Sequence, residues 1–148
     1  MVTASISATA GTSGDSRCVR TFTPDEANAL LAELRPLVER VVERKQRLDE
    51  AEDARRTLLA RIAANGGDIT PSDVAEVTER VEHEAQALGG LVEQIHAHGV
   101  ELKDLDLGLL DFPWLHEGDL ALLCWRLGEE EIGYWHGIDE GYAGRKPL

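Results

Sequence analysis

The sequence predicts an α+β fold, mainly α: a long antiparallel helical hairpin of coiled-coil character, followed by a small three-stranded antiparallel β-meander. Three observations carry this expectation. Apolar residues step by threes and fours through two long stretches in the first two-thirds of the chain. Two helix-start signatures, TPDE at 23–26 and TPSD at 70–73, open those stretches. Six of the seven aromatic residues fall between Phe112 and Tyr142, where the period changes to short β-prone runs.

Residues 1–20 are rich in Ser, Thr, Ala and Gly and carry too little apolar surface to offset the entropy of ordering. They read as a disordered tail, with one domain over 21–148. They lack the basic and continuous apolar regions of a signal peptide. No run approaches the roughly 20 apolar residues of a membrane span.

The first helix is expected over about 24–64. Thr23 caps the free N–H groups, Pro24 suits the first helical position, and Glu26 completes a capping box. Leu30, Leu34, Leu37, Val41, Leu48, Ala51, Leu58 and Ile62 form the seam, with Arg44 and Arg55 filling its gaps. Pro36 lies inside and should kink the helix, because it removes a hydrogen bond and crowds the preceding turn. Asn65-Gly66-Gly67 ends it. The second helix, about 71–98, has its seam at Val74, Val77, Val81, Ala85, Leu88, Val92 and Ile95, and stops at His98-Gly99. A short turn between long amphipathic helices makes a hairpin.

The stretch 100–110 is transitional. Apolar runs at about 109–115, 120–127 and 132–138 then alternate with polar turns, giving a sheet region over about 108–138 and a C-terminal turn over 139–148. Pairing Leu127 with Ile132 across the GEEE turn sets Trp125 against Tyr134 and Leu123 against His136. It leaves Cys124, Leu122, Arg126 and Trp135 on the other face.

The formal charge of −13 excludes binding to a phosphate backbone or an anionic membrane surface. It leaves basic partners open. Two isolated cysteines, Cys18 and Cys124, are neither a disulfide framework nor a zinc-knuckle spacing, which points to a reducing, cytoplasmic setting.

Chemistry concentrates in the tail. His136, beside Trp135, is a candidate metal ligand or general base, with Asp111 and Glu131 as the carboxylates expected to join it. Asp104, Asp139 and Glu140 also lie nearby in sequence. The alternative is a strand-end histidine hydrogen-bonded under Trp125. Arg145 suits a carboxylate or phosphate clamp, or else a salt bridge that pins the C-terminus. Trp125, Tyr134, Trp135, His136 and Arg145 together make the candidate binding surface. Glu93-x-x-His96 is a single copy of a pair that di-iron bundles use twice. Cys124 reads as a core residue facing away from His136. No P-loop, GxGxxG or GxSxG is present.

Three stretches, FTPDEANALLAELRPLV (22–38), GVELKDLDLGLLDFP (99–113) and LCWRLGEEEIGYWHGIDEGYAGRKPL (123–148), resemble an uncharacterised bacterial family, domain of unknown function 2203. The closing block is the most specific part. The resemblance implies a helical hairpin carrying that block, and no particular reaction, substrate or cofactor.

Two functional expectations follow. One is an interaction or scaffold module: a helical homodimer, open to a protein partner through its aromatic C-terminal block. The other is a small enzyme, dependent on a divalent metal such as iron or zinc or binding another ligand, that uses His136 and nearby carboxylates.

Overall fold

A computed structural model describes residues 19–64 and 67–148. The expected tail, apart from its last two residues, Cys18, and Asn65-Gly66 of the expected helix-ending turn lie outside the described residues.

Both helices start where their caps require. Helix α1 runs from Pro24 to Ala63 and α2 from Pro71 to His96. Each opens on a reciprocal capping box, Thr23 with Glu26 and Thr70 with Asp73, which satisfies backbone donors that have no partner inside the helix. Helix α1 continues through Pro36 as one 40-residue element. Pro36 lies on the exposed side, where water can satisfy the carbonyl that its missing N–H leaves free.

The buried face of α1 differs from the expected seam. Leu34, Val41 and Ala51 are buried as expected, but Ala27, Leu31 and Val38 are buried too. In α2 the buried positions are Val81, Leu88, Leu91 and Ile95, and Ala85 is exposed. The N-terminal half of α1 therefore presents a broad stripe, covered by α2 and by the sheet, rather than a narrow coiled-coil seam. Arg44, at a seam position, bonds Glu84 of α2 at 3.0 Å and links the two helices.

Among the described residues the sheet has five strands, not three: β1 (Glu101–Asp104), β2 (Leu109–His116), β3 (Asp119–Arg126), β4 (Tyr134–Gly137) and β5 (Lys146–Pro147). They pair antiparallel in chain order. The two added strands flank the expected three. Strand β1 is short, polar and irregular in register, and β5 has two residues, one of them proline, so neither shows a β period. Between β1 and β2, Asp104 accepts the N–H groups of Asp106 and Leu107, both at 2.8 Å. Gly108 then approaches α1 so closely that a Cβ there would lie 2.8 Å from Val38.

The expected register is one residue off. Cys124 faces Tyr134, Leu123 faces Trp135, and Leu122 faces His136. The cause is Ile132. Instead of pairing with Leu127, it is buried in the core, and its N–H donates to Asn28 Oδ1 of α1 at 2.8 Å. The strand begins after it, and a one-residue slip exchanges the faces of every side chain that follows.

One core joins helices and sheet. Leu110, Phe112, Leu123 and Trp125 meet Leu31, Leu34 and Ile95 there, and Phe22 packs edge-on to Phe112. Among the described residues no helix is long and apolar enough to cross a membrane.

Candidate functional site

The face of the sheet turned away from the helices carries the chemistry. Asp111 and Cys124 are cross-strand partners on β2 and β3. His136 on β4 faces Leu122, two residues from Cys124 on the same face. Asp111, Cys124 and His136 are all buried, at 1%, 0% and 2% exposure. One potential ligand atom from each lies within 4.8 Å of the other two.

This corrects the expectation that Cys124 and His136 face opposite sides. It also removes His136 from beneath Trp125, which lies in the core on the helix side with its indole N–H donating to the Glu129 carbonyl at 3.0 Å.

The protons of the cluster follow from its partners. His136 Nδ1 lies 2.8 Å from the Gly137 carbonyl, which can only accept, so Nδ1 carries a proton. Nε2 lies 3.2 Å from Asp111 Oδ1, with one proton between them. Burial pushes the Asp111 carboxyl above its usual range, against the opposing pull of His136. Burial and the neighbouring Asp111 push the Cys124 thiol up to about 12. Cys124 is thus a neutral thiol beside Asp111, not a ready nucleophile.

Above the cluster lies a cavity of about 170 Å³. Lys103, Leu122, Ile138 and Tyr142 wall it, with Asp111 and His136 beneath. The segment after β4 forms the cover. Its anchor is Arg145, which bonds Glu129 Oε1 at 2.9 Å and the Cys124 carbonyl at 3.3 Å. Its guanidinium lies over the rings of Tyr134, at 4.1 Å, and Tyr142, at 4.7 Å. Arg145 is thus engaged in pinning the C-terminus. Burial works against the charge of Glu129, yet Arg145 and the Arg126 N–H outweigh it and hold this carboxyl below its usual range.

The other expected residues are dispersed. Glu131 is exposed in the β3–β4 connection and stands outside the cluster; Cys124 takes the third place. Trp135 is half-buried on the helix side of the sheet, with Trp114 and His116 around it and Lys146 over its ring. Glu140 accepts the Gly137 N–H and pairs with Lys146, Asp139 is exposed, and Glu93 and His96 lie exposed on α2. One signal could have brought Cys124 into the site. Asp111 interrupts an apolar strand, and a buried carboxylate needs polar partners on its own face.

Over residues 20–148 the sequence matches the family model described as uncharacterized conserved protein (DUF2203). The chain belongs to this family. No curated protein and no solved structure matches it. The DUF2203 match spans both helices, all five strands and the buried cluster, so the hairpin and its capping sheet are the architecture of the matched region.

Proposed function

We propose that this protein is a cytoplasmic interaction module that pairs with a second copy of itself along the outer half of its helical hairpin. Its aromatic cap, with Trp135 and Tyr134, is then left for a protein partner.

The observation that carries this reading is the uneven burial of the hairpin. Five of the six buried residues of α1 lie between Ala27 and Val41, next to the sheet; only Ala51 lies beyond. Farther out, Leu59 is 48% and Ile62 43% exposed, and Leu58, Val74 and Val77 are half-buried. Two helices cover one stripe of each other and no more. A second hairpin packed alongside would form a four-helix bundle and take this apolar surface out of water.

Sedimentation equilibrium at micromolar concentration tests it. The expected result is a dimer that Leu59→Glu with Ile62→Glu converts to a monomer of unchanged helix content. A wild-type chain that stays strictly monomeric overturns the reading.

A further inference from the structure

We propose that Asp111, Cys124 and His136 form a binding site for one divalent transition-metal ion of the zinc class. The ion is held by a carboxylate oxygen, Sγ and Nε2, with a fourth position open to the cavity. This inference is independent of the pairing of hairpins.

The donor set selects the class of ion. Magnesium and calcium take oxygen ligands. A thiolate with an imidazole and a carboxylate suits zinc and its neighbours, and three protein ligands with one open position is the arrangement of catalytic zinc sites. The spacing fits as well. Ligands at ~2.0–2.3 Å around a tetrahedral ion lie roughly 3.3–3.8 Å from one another. Nε2 and Oδ1 already stand 3.2 Å apart, and all three ligand atoms lie within 4.8 Å of one another. Only small side-chain movements separate this arrangement from a coordination shell.

His136 is oriented as a ligating histidine is. Its Nδ1–H is held by the Gly137 carbonyl at 2.8 Å, which leaves Nε2 to face the other two donors. Three adjacent strands fix the three side chains, so the site does not depend on a loop.

A charge balance accompanies this geometry. With a thiol proton on Cys124 and one proton between the Asp111 carboxylate and His136 Nε2, the metal-free cluster is neutral. A divalent ion replaces both protons. The S–H bond breaks and a sulfur–metal bond forms; the shared proton leaves and the ion takes its place. Two positive charges leave as protons and two arrive on the metal. The buried site is neutral before and after, so the exchange carries no net charge out of water.

The cavity adds the open side. Leu122, Ile138 and Tyr142 line it, and the Tyr142 hydroxyl accepts from Arg126 at 3.3 Å. The fourth position would hold water or a small anionic ligand, whose charge Lys103 at the rim would offset.

The test uses the full chain without a histidine tag. Metal-free protein is titrated with zinc(II), and with cobalt(II) as a spectroscopic probe, while elemental analysis gives stoichiometry. We expect one ion per chain, about two protons released per ion, a thiolate-to-cobalt charge-transfer band, and no response to magnesium. Cys124→Ser and Asp111→Asn, which nearly preserve volume, should each weaken binding by more than the ~10–100-fold that outer contacts carry, and Cys124→Ser should abolish the band. Circular dichroism and melting of the metal-free variants establish that each is folded. Folded wild-type protein that takes up no zinc or cobalt at micromolar concentration overturns the proposal. So does uptake that both folded variants retain, because the ion would then lie elsewhere.

Discussion

His136 Nε2 lies 3.2 Å from Asp111 Oδ1, and both side chains are at least 97% buried on the sheet face turned away from the helices. Each is the other's side-chain partner at the floor of the cavity. Leaving one without the other exposes the remaining group to the full penalty of desolvation.

Replacing Asp111 by Leu, or His136 by Leu, in metal-free protein should therefore cost about 3–5 kcal/mol of stability. The double variant should lose less than the two single losses added, because neither the carboxyl nor the imidazole is left buried without the other. Urea unfolding of the four proteins gives the coupling. Strict additivity would show that the two side chains do not depend on each other.

Gly108 has φ +70, and a Cβ there would lie 2.8 Å from Val38 Cγ1 and 2.9 Å from Leu127 Cβ. Gly118 also has positive φ, at +87, but open space around it. Gly108→Ala should cost roughly 2–4 kcal/mol, the sum of backbone strain and overpacking, while Gly118→Ala should cost about 1 kcal/mol from strain alone. Equal losses, measured by urea unfolding, would mean that the approach of α1 does not constrain Gly108.

Glu129 gives a pH dependence with a definite sign. Its carboxyl titrates below the usual 4.5 in the folded protein because Arg145 and the Arg126 N–H outweigh the effect of burial. A depressed acid stabilises the fold above its unfolded value and loses that contribution as pH falls through its folded value. Wild type should therefore be more stable than Glu129→Gln at pH 7. The difference should shrink steadily below about pH 4.5. Thermal melts across pH 7 to 3 check this, and a difference that stayed constant would place the stabilisation elsewhere.

Much of the architecture was legible in the residues, and the reasons are local. Thr23-Pro24-Asp25-Glu26 and Thr70-Pro71-Ser72-Asp73 place their helix starts because a cap is satisfied within one turn. His116-Glu117-Gly118-Asp119 makes a two-residue hairpin turn, with φ 53 at Glu117 and 87 at Gly118, and so fixes β2 against β3. The candidate site was legible in part. Asp111 and His136 were both singled out and do meet, but Glu131 does not join them and Cys124 does.

What the sequence determined by itself was each element whose signal lies within a few residues of its cause: two capped amphipathic helices, three apolar strand runs and the turn between the first two strands. Tertiary structure alone decided the rest. Asn28 lies more than a hundred residues before Ile132, yet its side chain holds the Ile132 N–H and sets where β4 begins. With Ile132 held there and buried in the core, His136 falls on the sheet face that carries Asp111 and Cys124. Strand register depends on what the far side of the chain buries, and side-chain period alone cannot distinguish a register from its neighbour one residue away.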